Sequence, residues 1–478
     1  MKGADLQDVA QEALHAHAEG VLQAGGRMQM VYALTSGDGG LELRYLSDTA
    51  EPRRFIVWRC RPHGDPPSLA GLWPLLGWYE REAADVYGLR FAGHPEPLPL
   101  VLQGTGMANG NGRRNLPAVD AEAVQQLPFG PVRADVLESA EFTFLYIGEQ
   151  IIHYAPHLFF KRRGMEQRFE GRDLGTGVVL AERISAVGSV AHALAYCQAV
   201  EAACGCAVPV RAQWLRVLLA ELERLYNHLH YLGHLANTTT LKVADAEGKL
   251  LAERAKQINA RLTGSRFLRG LLTPGGLRRD LQPAEWLGAE LERLRTATAR
   301  YTARLEASES HLDRLITTGV LPHQVAFDQG ATGPIQRASG FDRDMRRDHS
   351  YAAYAELPLT VPVRGEGDAY ARQRVRIEEI DASFVLMQRA LLLLPDGPVR
   401  AACAPLPGAE GLGWSESPRG SLFYAVHLDA NGRLARVKVK SPSFSNWRAF
   451  PSTVHDTNMM DYAINEASFG LTVSGCAR

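Results

Sequence analysis

A long central run of helical periodicity constrains this chain more than any other feature. Across Ala181–Ala203, Val210–Leu235, Lys249–Leu262, Pro283–Thr317 and Arg374–Leu394, apolar residues recur at i, i+3, i+4 and i+7. That spacing lays an apolar stripe along one face of a helix. Such faces leave water by covering one another, so the middle of the molecule is predicted to be a helical bundle. The flanks carry a different period. Met28–Leu34, Leu41–Leu46 and Phe55–Cys60 alternate between Gly, Asp and Pro boundaries, as strands of a small sheet do. Residues 4–23 are read as a helix stopped at Gly25-Gly26, and WPLLGWYEREAADVYGLRF as a second one ending at Gly88. Phe142–Ile147 and Gln150–Tyr154 flank Gly148-Glu149 as a hairpin. The last ~60 residues return to strand-like alternation, as in SLFYAVHLDANGRLARVKVKS, around a turn at Asp429, Asn431 and Gly432. Residues 103–116 (QGTGMANGNGRRNL) concentrate Gly and Asn, which is linker chemistry. The expected architecture is α+β. A small N-terminal α/β module spans 1–100, a Gly/Asn-rich linker 101–128, and a mainly α-helical bundle with small β elements at its ends 129–478.

Composition removes several functions. Lys plus Arg total 52 against 53 Asp plus Glu, a net charge of −1, without the basic excess of a nucleic-acid binder or a sensor of acidic membranes. The longest apolar runs, such as Ala390–Leu394, fall far short of the ~20 residues of a membrane span. The N-terminus lacks the apolar core of a signal peptide, so a cytoplasmic chain that meets a membrane through partners is expected. The six cysteines (60, 197, 204, 206, 403 and 476) form no C-x-x-C pair, and no zinc or iron–sulfur site is visible locally. Cys204 and Cys206 read as incidental reduced thiols near a helix end. His230 and His234 have the i, i+4 spacing that can chelate zinc, but no cysteine or Glu-x-x pattern accompanies them. With His228 they are expected to be interhelical or solvent-facing. Arg337, Arg343, Arg346 and Arg347 alternate with Asp342, Asp344 and Asp348, which suits subunit contacts or an internal ion network.

Two segments carry a family resemblance. Glu80-Arg81-Glu82-Ala83-Ala84-Asp85-Val86-Tyr87-Gly88 through His94-Pro95 resembles the signature of the small C-type peripheral-arm protein of respiratory complex I. GATGPIQRASGFDRDMRRDHSYAAY (330–354) and GEGDAYARQRVRIEEIDAS (365–383) resemble the D-type protein of complex I and the large subunits of nickel–iron hydrogenases. RGMEQ (163–167), RAQWLRVLLAELERLYNH (211–228), TPGGLRRDL (273–281), ESPRG (416–420) and SPSF (441–444) follow in family order. The frame from Gly130-Pro131 to Phe142 is similar to the membrane-bound hydrogenases of the formate-hydrogenlyase type. Complex I carries two histidines there, where this chain has Arg133 and Leu137.

The resemblance also locates what is missing. Hydrogenase large subunits hold their metals with four thiolates from two C-x-x-C pairs, soft ligands that select nickel and iron. In this chain the first pair is replaced by Ser185 and Gly188, within Glu182-Arg183-Ile184-Ser185, and the second by Thr472 and Gly475. Cys476 stands one place late and alone. The expectation is no nickel, no hydrogenase activity and no metal in this chain. Active relatives are usually made with a tail that is removed after nickel insertion, and with the sequence ending at Arg478 no such processing is expected. Arg419 and Glu138 match polar residues that surround the metals in active enzymes. With Arg183 and His192 they are the candidates for a substrate or quinone pocket, the alternative being a residual salt-bridge network. The quinone-holding positions of complex I carry Leu137 and Leu180, with Tyr146, His153, Tyr154 and His157 nearby as substitutes.

The resemblance implies a peripheral-arm subunit of a membrane-bound redox complex, not catalytic alone, acting in electron transfer or in coupling to ion translocation. Its expected partners are an iron–sulfur small subunit, like the B-type protein of complex I, which holds the clusters, and integral-membrane subunits of the ion-translocating arm. A ferredoxin-like or dehydrogenase module is the further one. Its place would be the cytoplasmic side of the inner membrane. A quinone-reducing C/D fusion and a purely structural adaptor are the alternatives.

Overall fold

The computed structural model describes residues 1–37, 39–101, 123–132, 138–160, 162–283 and 285–478, without the side chain of Glu285. Most of the predicted linker, and both Arg133 and Leu137, lie outside the described residues.

The N-terminal sheet is four-stranded. Asp5–Asp8, Arg27–Thr35, Leu41–Asp48 and Phe55–Cys60 are arranged so that the first strand pairs with the fourth, then the third, then the second. The last three match the predicted strands. Residues 5–8 depart from the predicted helix, which begins only at Leu14 and ends at Gln23. They pair parallel with Ile56–Arg59, and Asp5 and Asp8 meet Arg54 and Arg59 across the pair. Long-range pairing overrides the local pattern here. The helix Gly77–Tyr87 ends at Gly88 in the left-handed conformation, at φ +68°. Its signature residues are structural. Buried Glu80 accepts from Ser68 and from the Leu69 N–H at 2.8 Å. Arg81 donates to the carbonyls of Leu98 and Pro99, and Asp85 accepts from the N–H groups of Leu100 and Val101.

The bundle is built on the helices Ser189–Cys204, Val210–Thr238, Lys242–Thr263, Glu285–Glu306 and Ala369–Leu393. Two predicted helices are broken. Ala181–Ala203 separates into Leu174–Ala181 and Ser189–Cys204, because residues 182–188 leave the helix and the next one restarts after Gly188. There the buried Glu223 carboxylate accepts from the Val190 and Ala191 N–H groups at 2.7 and 2.9 Å, satisfying donors that a helix start leaves open. Pro283–Thr317 separates into Glu285–Glu306 and Glu309–Leu315, with Ser308 starting the second piece.

Glu410–Ser417, Gly420–Leu428 and Leu434–Lys440 form an antiparallel sheet in that order. Every residue of the middle strand is buried. Leu422, Tyr424 and Val426 face the bundle core, while Phe423 and Ala425 join a second core with the N-terminal sheet, the hairpin and the tail. The first strand lies directly on a helix. A Cβ on Gly411 or Gly413 would stand 2.0 or 2.1 Å from the carbonyl oxygen of Ala199 or Ala195, so only glycine permits this approach. The tail differs from the strand-like ending of the prediction. It folds as the helices Pro442–Ala449, Tyr462–Phe469 and Val473–Cys476.

Two buried ion networks tie these parts together. In one, Glu379 accepts from Arg337, Arg224 and His228, Glu221 from Arg346, and Asp344 from Arg346, all without solvent contact or nearly so. The Arg/Asp-rich loop is thus an internal network at Arg337, Arg346 and Asp344. Arg347 pairs with Asp342 and Asp348 nearer the surface. Of the helix histidines, His228 is interhelical, whereas His230 and His234 are exposed. In the second network, Glu82 of the N-terminal signature accepts from Lys438 at 2.5 Å and Arg478 at 2.9 Å. Glu166 accepts from Arg436 at 2.8 Å and Arg478 at 3.0 Å, and these cations hold its carboxyl far below the ordinary range despite burial.

Candidate functional site: a closed cleft at the ligand positions

The loop 182–188 is held from two sides. Tyr226 Oη and Asn227 Nδ2 donate to the Val187 carbonyl at 3.2 and 2.7 Å, while Arg269 donates to Ser189 Oγ and to the Ala186 carbonyl. Opposite it, Gly470 ends a helix at φ +63°, and Thr472 caps the next turn through Gly475 N–H. Ser441 Oγ donates to the Gly475 carbonyl, and Ser443 Oγ meets Thr472 Oγ1 at 3.1 Å. Arg163 spans both loops. Its guanidinium donates to the carbonyls of Arg183 at 2.7 Å, Ile184 at 2.5 Å and Ser474 at 2.8 Å.

Ser185, Gly188, Thr472 and Gly475, far apart in sequence, line one cavity with His192, Ser417, Arg419, Ser441 and Ser443. Its volume is about 10 Å³, room for one water at most. Of the four pocket candidates, His192 and Arg419 face this cavity. Arg419 Nε donates to the Gly470 carbonyl at 2.7 Å and Nη1 to Asn227 Oδ1 at 3.0 Å, and burial pulls the guanidinium down to about 10. Glu138 lies beside the cavity, accepting from the Val473 N–H. Arg183 is a correction. Its side chain is exposed, and only its carbonyl reaches the site, because the loop turns that residue outward. Tyr154 Oη meets Tyr462 Oη at 3.1 Å, His153 packs on His455, His157 packs on Phe160, and neither they nor Tyr146 or Leu180 line the cavity. Sequence reasoning missed Arg163, Asn227, Glu223 and the serines 417, 441 and 443. RGMEQ, ESPRG and SPSF contained four of them, but nothing local shows that a side chain will close a distant loop.

His192 Nδ1 meets Tyr424 Oη at 2.8 Å, and burial pushes the imidazole down to about 3. The neutral ring is therefore the folded form, while the unfolded one takes a proton near 6.5. Stability from His192 is full above pH ~6.5 and is lost as pH falls from there toward 3, by up to ~1.4 kcal/mol per pH unit. His192→Gln is expected to remove about one proton's worth of that slope, read from denaturant midpoints between pH 7 and 5. An unchanged slope would contradict the assignment.

A glycine-pinned sheet wedged between a helical bundle and the N-terminal sheet, with two loops meeting at a closed cleft, defines a hydrogenase-like large-subunit fold joined to a small α/β module. The chain belongs to the family that links the respiratory-chain NADH dehydrogenase subunits with the nickel-dependent hydrogenases. Residues 250–407 and 402–478 match the 49 kDa subunit of respiratory-chain NADH dehydrogenase, 7–111 its 30 kDa subunit, and 163–265 the nickel-dependent hydrogenases. Formate hydrogenlyase subunit 5 of Escherichia coli (strain K12) is 30% identical over 406 residues, covering 80% of this chain and 71% of that protein. The C/D subunit of NADH-quinone oxidoreductase from Cereibacter sphaeroides is 28% identical over 483 residues, covering 87% and 82%. A chain of the membrane-bound sulfane sulfur reductase, an archaeal respiratory membrane complex, superposes with a TM-score of 0.71 at 25% identity, covering 75% of this chain and all of that one. Among the described residues no helix is long and apolar enough to cross a membrane.

Proposed function

We propose that this chain is a peripheral-arm subunit of a membrane-bound redox complex related to complex I and the energy-converting hydrogenases. Within it the chain couples partners and holds no metal centre of its own. The carrying observation is the convergence of Ser185, Gly188, Thr472 and Gly475 on a cavity of about 10 Å³. Two glycines supply no side-chain donor, and hydroxyls are hard ligands where bridged nickel and iron require thiolates. Thr472 Oγ1 is already engaged with Gly475 N–H and Ser443. The residues present therefore do not fit a nickel–iron centre. A quinone head fits no better, since pockets for such ligands run to about 300–1,000 Å³. In this reading electrons pass through clusters held by an iron–sulfur small subunit, like the B-type protein of complex I. Integral-membrane subunits move the ion, and a ferredoxin-like or dehydrogenase module supplies electrons at the cytoplasmic face. The closed cleft keeps the two loops in one arrangement beside the small subunit.

Co-expression with an iron–sulfur small subunit and membrane subunits should bring the chain into the membrane fraction, whereas alone it should aggregate or remain redox-silent. A monodisperse monomer that reduces an acceptor unaided would overturn the reading. Arg419→Met tests the cleft itself. Turnover of the assembled complex is expected to stay within about twofold, under ~0.5 kcal/mol of barrier. Loss of turnover with assembly intact would show that a ligand works there.

A further inference from the structure

A second polar cavity, apart from that cleft, lies where the N-terminal sheet meets the C-terminal one. It measures about 220 Å³ and is lined by Arg27, Gln29 and Asp48 on one side and Ser421, Lys440 and Ser445 on the other. Two of its walls carry cations without a counter-ion. Lys440, 3% exposed, donates to Gln29 Oε1 at 2.8 Å and Ser421 Oγ at 3.3 Å, and lies 4.9 Å from the centre of the Phe423 ring. Arg27, 5% exposed, donates to Gln336 Oε1 at 2.8 Å and to the carbonyls of Ala331, Phe327 and Ala326. Among the described residues neither has a carboxylate within 4.0 Å. Of the other groups lining it, Glu51 is exposed and His349 stacks on Phe55, while the remaining carboxylates are matched. Glu416 pairs with Arg337, Asp344 with Arg346 and Arg337, Asp348 with Arg347 and Arg53, and Asp342 with Arg347. Asp48 holds Arg343 at 3.6 Å through Oδ2. Its Oδ1, in a residue nine-tenths buried, has no partner.

A buried cation without a counter-ion is costly, and so is an orphaned acceptor. One kind of guest relieves both. Its negative oxygens would answer Lys440, with Arg27 behind, and a hydroxyl on it would donate to Asp48 Oδ1. The tyrosine and serine hydroxyls of Tyr79 and Ser445, 3.5 Å apart and buried, add donors at the floor. We infer that this cavity binds a small oxyanion carrying a hydroxyl, of the hydrogenphosphate or hydroxy-acid class, against Lys440. The guest would then join the two sheets across their junction. Burial and the neighbouring Arg27 hold the Lys440 ammonium down to about 7, opposed by Asp48 and Glu416. An anion therefore binds the protonated form, and its affinity falls as pH rises through about 7.

The purified complex can be titrated calorimetrically at pH 6.5 with inorganic phosphate and, separately, with lactate, each against chloride at matched ionic strength. Saturable binding of phosphate assigns the first source and of lactate the second. Absence of both overturns the inference. Lys440→Gln is expected to weaken binding at least about tenfold, ~1.4 kcal/mol, and Lys440→Arg, which restores the charge, to recover it. Equal binding by Lys440→Gln, with unchanged circular dichroism, would also overturn it. Should Lys440→Gln fail to assemble, the wild-type pH series from 6 to 8.5 decides, with lactate at constant charge and phosphate corrected for its own second ionisation: binding that does not weaken refutes a site built on Lys440.

Discussion

Replacing Glu379 by alanine is expected to keep the chain from accumulating in folded form. Its carboxylate is fully buried and accepts from Arg337 Nε at 3.1 Å, Arg224 Nη1 at 3.2 Å and His228 Nε2 at 2.8 Å. Removing it takes one carboxylate from each guanidinium in a dry interior, leaving Arg337 to Glu416 and Asp344 and Arg224 to Glu221. Breaking a buried ion pair from one side costs about 3–5 kcal/mol, against a total stability of about 5–15 kcal/mol for a typical domain. These three carboxylate partners come from the helix Val210–Thr238 and the segment Pro334–Ala338, so the loss reaches both. The measurement is the denaturant midpoint and yield of the assembled complex. A midpoint drop equivalent to less than ~1 kcal/mol would show that water or another group replaces the carboxylate.

Restoring all four cysteines, at positions 185, 188, 472 and 475, is expected to produce neither stoichiometric nickel nor hydrogen turnover. Four thiols cannot enter a cavity of about 10 Å³ without separating the loops. A Cβ on Gly475 would stand 3.4 Å from Ser443 Oγ, before any sulfur is added. Losing Thr472 also removes a helix cap, typically ~1 kcal/mol. Elemental analysis and a hydrogen-evolution assay on the purified complex are the readouts. One nickel per chain would refute the closed-cleft account, as it would in the native sequence.

Periodicity made the bundle and the last three N-terminal strands legible, because burial of one face writes a 3.6- or 2-residue pattern into the chain. It failed where partners distant in sequence decide. Residues 5–8 pair with a strand fifty positions away. Residues 182–188 keep an apolar pattern but leave the helix, because Tyr226 and Asn227 draw the Val187 carbonyl onto a neighbouring helix and Glu223 satisfies the first N–H groups of the helix that follows. The convergence of Ser185, Gly188, Thr472 and Gly475 was readable only through the family frame, and the size of the space between them was not readable at all. Arg183 shows the limit. Two residues before Ser185, it resembles a pocket residue in sequence, yet it faces outward while Arg163 carries the contact.

The Glu82 cluster has a consequence in time. Its carboxylate emerges from the ribosome with the N-terminal module, but Lys438, which it accepts from, lies 356 residues later. At about 5–20 residues per second, that interval is about 20–70 s. For that period the module carries a charge whose partners do not yet exist, and its apolar face toward the C-terminal sheet has nothing to cover it. The nascent module is therefore the stretch a holdase would find open, and docking of the last sheet and tail is the event that closes it.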